Sequence, residues 1–322
     1  MLRRLSPAMR VAVIIPCYRA ARHIGAVLDS LPGDLDHILV VDDACPDGSG
    51  QVARDRAGRD PRIEVLTRAI NGGVGAAMVT GFRRALALGA DIIVKMDGDG
   101  QMDPTFLPAL LEPLRTGRAD MAKGNRFRDF RALRAMPPLR LLGNSALSFL
   151  VKAASGQWGV MDPTNGYLAL SRRALDNIEL ERLSPRYFFE CDLMIRLGTA
   201  RLAVEDVAMP ARYGDEDSSL RISRVLLTFP PLLARGFLRR LLLSYFVHDF
   251  NIASLYLLTG VPLALFGLVM GLGEWAMSLE SGVPRTAGTV MLAGLPLILG
   301  FQLLLQAIAF DVANAPRPKS DR

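Results

Sequence analysis

Two uncharged apolar runs constrain this chain more than any other feature. One, IASLYLLTGVPLALFGLVMGL, extends from Ile252 to Leu272; the other, GTVMLAGLPLILGFQLLLQAIAF, from Gly288 to Phe310. A bilayer core needs roughly 20 apolar residues in a helix. Inside it every backbone N–H and C=O must be paired within its own segment, so helices are the structure open to such runs. Buried helices of a soluble protein are the alternative, but those are usually shorter. Gly260, Pro262, Gly267 and Pro296 are all tolerated in membrane helices.

The basic residues orient the pair. Arg221, Arg224, Arg235, Arg239 and Arg240 precede the first run, and Arg317, Lys319 and Arg322 follow the second. The connection between them holds Glu274, Glu280 and Arg285. Positive flanks stay cytoplasmic, so the bulk of the chain is expected in the cytosol, carried on a multi-pass anchor in the inner (cytoplasmic) membrane. The chain has 322 residues, half of them hydrophobic, and a formal net charge of +6. Its mean hydropathy, +0.25, owes its height to the part after about residue 220. The opening MLRRLSPAMR is basic, but the VAVIIP that follows is too short for a signal sequence. Cys17, Cys45 and Cys191 are scattered, without metal-ligand spacing, and suggest a reducing compartment.

The first two-thirds alternates strand and helix patterns. Apolar, β-branched runs occur at Val11–Ile15, Ile38–Val41, Ile63–Leu66 and Ile92–Val94, with helical patterns at Ile24–Leu31, Gln51–Ala57 and Ala76–Leu88 between them. This rhythm predicts a parallel sheet with helices on its faces. Ligands of such sheets sit at the carboxyl ends of the strands. Those ends carry PCYRA (16–20), DDACPD (42–47), NGGVGAA (71–77) and DGDGQ (97–101).

The four loops differ in their chemistry. NGGVGAA departs from the dinucleotide fingerprint, because Met78 stands where the last glycine would be, and no P-loop motif occurs. Asp97 and Asp99 flank Gly98 at the end of an apolar strand, with no histidine or cysteine nearby. Two carboxylates of that kind suit a hard cation, Mg2+ or Mn2+, bridging to a substrate diphosphate. Gln101 offers a further neutral oxygen. The plain alternative is an Asp-Gly turn.

Together these motifs resemble glycosyltransferase family 2. VAVIIPCYRA is similar to its opening strand and P-x-Y loop, VVDDACPDGS to its nucleotide-binding segment, and GGVGAAMVTGFRRALALGADIIVKMDGDGQMDP to its glycine loop, helix and D-x-D region. The likeness continues through KGNRF (123–127), PPLRLLGN (137–144), DPTNGYLALSRRAL (162–175) and PARYGDEDSSLRI (210–222). It is nearest to the polyprenyl-phosphate glycosyltransferases, which include the dolichol-phosphate mannose synthases. DACPD stands where that family often has DGSTD, and Cys17 and Arg19 replace a small residue and an asparagine.

The resemblance implies a GT-A-type (Rossmann-like), mostly parallel α/β sheet domain over residues 1–217. Juxtamembrane amphipathic helices would follow at 218–250, divided by Pro230–Pro231, then two transmembrane helices in a hairpin at 251–311 and a tail at 312–322. It implies an inverting, metal-dependent enzyme that moves a sugar from a nucleotide-diphosphate donor to a polyprenyl phosphate. Pro16, Tyr18, Asp42, Asp43, Gly73, Gly75 and Asp97 would bind the nucleotide sugar, with Arg212 near the diphosphate. Asp97, Asp99 and Gln101 would hold the metal. Arg126 and Arg140, with Asn144 one helical turn beyond Arg140, would hold the lipid phosphate. Asp97, Asp99, Arg126 and Arg140 thus form the catalytic set, while Asp162, Asn165 and Glu190 lie near the donor sugar or shape the site. The expected partners are the nucleotide sugar, the lipid and the membrane, not nucleic acid; homo-oligomerisation is left open. A different acceptor, such as a glycolipid or polysaccharide, a non-catalytic membrane scaffold, and a membrane-bound nucleotidyltransferase are the competing readings. The intact D-x-D argues against the second, and the PTNGY and RYGDEDSS blocks against the third.

The topology has a direct check. A reporter fused at Glu280 should face outside, and one at the C-terminal end should face the cytosol. Cytosolic signals from both would show that the apolar runs do not make a full hairpin.

Overall fold

The sheet begins with the most apolar segment of the first hundred residues, VAVIIPC, which forms β1 (Val11–Cys17) and is buried along almost its whole length. A strand covered on both faces reads as a continuous apolar run, and β1 is central, pairing in parallel with β2 (His37–Asp42) and β4 (Ile92–Lys95). The computed structural model describes residues 9–126, 138–210 and 222–319. It adds β3 (Ile63–Thr67), β5 (Met121–Asn125), β6 (Leu168–Ser171) and β7 (Val204–Ala208), in the spatial order β3-β2-β1-β4-β6-β5-β7. All neighbours are parallel except at β6, which runs antiparallel to both β4 and β5. The expected mostly parallel α/β sheet is therefore present, with one reversed strand that the sequence did not signal.

Helices cover both faces. They are α1 (Ile24–Ser30), α2 (Ser49–Ala57), α3 (Val74–Ala87), α4 (Leu107–Arg115), α5 (Pro138–Ser155), α6 (Arg172–Asp176) and α7 (Phe189–Thr199). One core layer joins α3 and α7 to the sheet through Met78, Phe82, Phe189 and Leu193; the other joins α1 and α4 through Ile24, Leu28, Leu107 and Leu110. Helices α5 and α7 approach to backbone contact. A β-carbon on Gly198 would lie 1.7 Å from the Ser155 carbonyl oxygen.

Helix α8 (Ile222–Leu242) corrects one expectation: it runs unbroken through Pro230 and Pro231. Each proline forfeits one helical hydrogen bond, but Phe229, Leu233 and Phe237, one turn apart, pack on the core and hold the helix together. Both prolines are exposed. In the last turn Arg240 donates to the carbonyls of Ala154 (Nε, 3.1 Å) and Ala153 (Nη2, 2.9 Å), capping the end of α5.

The chain divides into two compact units, Met1–Arg240 with Pro316–Arg322, and Leu241–Ala315. The second holds α9 (Ile252–Ser281) and α10 (Ala287–Ala313), each long and apolar enough to cross a membrane. Glycines let their backbones touch: a β-carbon on Gly267 would stand 2.5 Å from the Leu297 nitrogen, and one on Gly300 2.4 Å from that of Ala264. Small residues at such contacts are how apolar helices associate where no hydrophobic drive exists. Asn251 and Thr286 cap the two N-termini, and the Tyr245 hydroxyl donates to the buried carboxylate of Asp311.

Gly198→Ala should drive α7 away from α5, because the obstacle is backbone and cannot rotate aside. Overpacking of this kind costs about 1–3 kcal/mol. A denaturant melt of the variant in detergent should show that loss; an unchanged midpoint would mean the two helices are not held at contact.

Candidate active site

Strand direction builds the site. The parallel strands deliver Tyr18, Asp42–Asp43, Arg68, Asp97–Asp99 and Arg126 at one edge of the sheet, just beyond β1, β2, β3, β4 and β5. Because β6 is reversed, the segment before it, Asp162–Tyr167, arrives at that same edge.

On the β1–β3 side, Asp42 and Asp43 are buried but differently engaged. Asp42 accepts from the Cys45 N–H (2.9 Å) and packs so closely on α2 that a β-carbon on Gly50 would meet its carboxylate at 2.0 Å. Asp43 accepts from Arg68 Nε (2.8 Å) and from the N–H groups of Gly72 (3.0 Å) and Gly73 (2.7 Å). It therefore shapes the glycine loop, a role the motif alone did not reveal. Gly73 has φ of +90°, and β-carbons on Gly73 and Gly75 would stand 2.9 Å from the Pro185 oxygen and 2.0 Å from the Ser184 oxygen. These glycines admit a neighbouring loop. Pro16 lies in the last two residues of β1, Tyr18 is half exposed, and the Arg19 guanidinium lies 5.5 Å over its ring. The backbone N–H of Arg19 donates to Cys45 Sγ. Burial disfavours the charged form of Asp47, but hydrogen bonds from Cys45, Ser49 and Ala21 outweigh it and hold that carboxyl well below the usual range.

At the end of β4 the sequence expectation meets an unforeseen partner. Asp97 is one-third exposed, and its Oδ1 lies 2.6 Å from Nζ of Lys95, which is almost wholly buried. That ammonium also stands 3.4 Å from Glu190 Oε1 in the first turn of α7. The carboxylates beside it outweigh burial and raise the Lys95 pKa. Asp99 turns its Oδ1 back on the Gln101 N–H (2.9 Å), which fixes the DGDGQ turn together with Gly100 at φ +78°. Among the described residues no three His, Cys, Asp or Glu side chains gather to hold a metal unaided. Two aspartates with hard oxygen donors fit an ion whose remaining ligands come from a bound diphosphate and water.

Beyond β5, Arg126 is locked onto Asp162. Its Nε and Nη2 donate to the two carboxylate oxygens at 2.8 and 3.1 Å, and its backbone N–H adds a third bond. Asn165 is buried and donates to the Gly124 carbonyl (2.8 Å). Arg140 and Asn144 lie in the first half of α5, their side chains outside the described residues; Arg212 lies outside them altogether. The sequence reading missed Lys95, Lys123 and Arg68. A charge inside an otherwise apolar strand, as in IIVKM, was the available signal.

The model of "Glycosyl transferase family 2" matches residues 12–179. An undecaprenyl-phosphate mannosyltransferase of Micrococcus luteus is 36% identical over 214 residues, covering 65% of this chain and 85% of the relative. A polyprenol monophosphomannose synthase of Mycolicibacterium smegmatis is 36% identical over 196 residues, covering 59% and 72%. Among solved structures, glucosyl-3-phosphoglycerate synthase of Mycobacterium tuberculosis, in complex with Mn2+, UDP-glucose and phosphoglyceric acid, shares the fold with a TM-score of 0.53, 23% identity and coverage of 72% and 80%.

Lys123 gives the site a pH signature. Burial pushes its ammonium down from 10.5 to about 8; Glu190 and Asp162 oppose this and Lys95 adds to it. The folded value lies below the unfolded one, so the unfolded chain holds more protons between these limits, and stability attributable to Lys123 rises with pH across them. The melting temperature of the wild type, relative to Lys123→Met, should therefore climb as pH is raised from about 8 towards 10.5. A difference that stays flat or falls would refute it.

Proposed function

The chain belongs to glycosyl transferase family 2, and from that premise we propose that it moves a sugar from a nucleotide-diphosphate donor to a polyprenyl phosphate, releasing the nucleoside diphosphate. The observation that carries this reading is the single sheet edge with carboxylates on its β1–β4 side and the Arg126–Asp162 pair beyond β5. Two relatives are named for mannosyl transfer to polyprenyl phosphates, which makes mannose the first sugar to test.

Residues Pro16, Tyr18, Asp42, Asp43, Gly73 and Gly75 shape the nucleotide end, and Arg212 answers the charge of the departing diphosphate. Asp97 and Asp99, with Gln101, would hold a divalent cation; Mn2+ is the first choice as probe because the neighbouring fold binds it with UDP-glucose. Bound there, such an ion neutralises diphosphate charge. The acceptor phosphate is already an anionic nucleophile and needs orientation and counter-charge more than a strong base. Arg126, its guanidinium plane set by Asp162, supplies both with Arg140 and Asn144. Attack from the side opposite the leaving diphosphate inverts the anomeric centre.

The membrane part of the reading rests on α9 and α10 as a hairpin, with basic flanks on the cytosolic side. In α8, exposed Leu227, Leu232 and Leu238 accompany exposed Arg235 and Arg239, a composition suited to the headgroup boundary.

Purified protein should be incubated in detergent with GDP-mannose, UDP-glucose and UDP-galactose and a short polyprenyl phosphate. Mass spectrometry should find a polyprenyl-phosphate-sugar whose formation stops in excess chelator. Losing a charged hydrogen bond to a desolvated phosphate costs about 2–5 kcal/mol, or roughly 30-fold to several thousand-fold. Arg140→Ala should lower transfer by that factor while calorimetric donor affinity holds. Product only on another acceptor, full activity in chelator, or donor affinity falling with transfer would each overturn the corresponding part.

A further inference from the structure

Lys95 and Lys123 occupy one row of the sheet. Both are in register with Leu168 of β6, on its two sides, and residues level across a sheet point to the same face. Two ammonium groups are thus buried on one face, each at most 1% exposed, and Glu190 from α7 exerts its charge on both. A buried charge is tolerated only when paired. Packing alone would be met by an apolar residue, as the rest of β4 illustrates.

The geometry around Asp97 is one-sided. Nζ of Lys95 holds Oδ1 at 2.6 Å and also reaches the Gly166 carbonyl at 3.3 Å. A β-carbon on Gly166 would stand 2.8 Å from that nitrogen and 2.9 Å from Asp97 Oδ2, so this glycine makes room for the pair. The Asp97 N–H donates to Met102 Sδ at 3.2 Å. Backbone and one carboxylate oxygen are therefore fixed from the buried side, while the side chain keeps one-third of its surface open. Glu190 matters to this balance. Were Lys95 facing Asp97 alone, its whole charge would compete with any cation the carboxylate is meant to bind. Sharing the ammonium with Glu190 keeps the orienting contact and weakens the competition.

We propose that Lys95 is a positioning residue: shared between Asp97 and Glu190, it holds the Asp97 carboxylate in the orientation that receives the divalent cation. This rests on the metal reading given above. Partners that orient a metal ligand typically change affinity by about 10–100-fold when removed.

The test uses the full-length protein in detergent and Mn2+ alone as probe, free ion being read from its paramagnetic resonance signal. Lys95→Met should bind Mn2+ about 10–100-fold more weakly than wild type. Glu190→Gln, nearly isosteric, should weaken binding by a smaller factor, because more of the lysine's charge then falls on Asp97. If Lys95→Met binds as tightly as wild type or more tightly, Lys95 is a competitor or a bystander and the positioning role is overturned. Should that variant fail to fold, Glu190→Gln decides, and unchanged Mn2+ affinity overturns the proposal. A wild type that leaves the Mn2+ signal untouched refutes the metal reading itself and this role with it.

Discussion

An ammonium group at the centre of a sheet has to find a counter-charge within reach. Lys95 finds two, and they come from different parts of the chain: Asp97 from the end of its own strand and Glu190 from the first turn of α7. The same rule recurs along the edge. Asp43 is buried against Arg68, and Asp162 against Arg126. In each of these three the buried charge has a partner partly open to solvent. Removing one member of such a pair strands the other, a loss far larger than the net contribution of an intact pair. The edge is therefore fixed electrostatically before any ligand arrives.

Much of this was legible in the sequence, and the failures have identifiable causes. Strands β1 to β4 and helices α1 to α3 announced themselves because apolar runs and helical periodicity are local signals. Strands β5, β6 and β7 did not. MAKGN carries a lysine, a glycine and an asparagine, LALS is short, and VEDVA carries two adjacent acidic residues. Their membership in the sheet comes from pairings with distant segments. Asp97 and Asp99 were found by their motif, whereas Lys95, two residues earlier, was hidden within an apolar run. The glycine loop was read as a ligand cradle, yet two of its glycines admit the Ser184–Pro185 loop. Pro230 and Pro231 spoke for a break, and packing of Phe229, Leu233 and Phe237 overrode it.

The two compact units solve their association problems differently. In the first, apolar layers on both sides of the sheet exclude water, the dominant drive in solution. The second holds two helices long and apolar enough to cross a membrane, and in such a setting hydrophobicity would not distinguish helix from lipid, so contact would depend on shape. Gly260, Gly267 and Gly300 bring the backbones of α9 and α10 together, and Tyr245 with Asp311 adds a polar bond between the chain entering the hairpin and the helix leaving it.

The reversal at β6 has a consequence for how such a molecule can diversify. The aspartates on the carboxylate side of the edge come from one uninterrupted stretch, from β1 through the turn after β4, and a later segment adds Glu190 and the Ser184–Pro185 loop. The Arg126–Asp162 side comes from a later stretch folded back on it, and the two are sewn together along β6. The row containing Lys95, Leu168 and Lys123, with Glu190 beside it, is where the two sides depend on each other. On the function proposed above, a lineage built on this plan can inherit its donor chemistry intact while trading one acceptor for another.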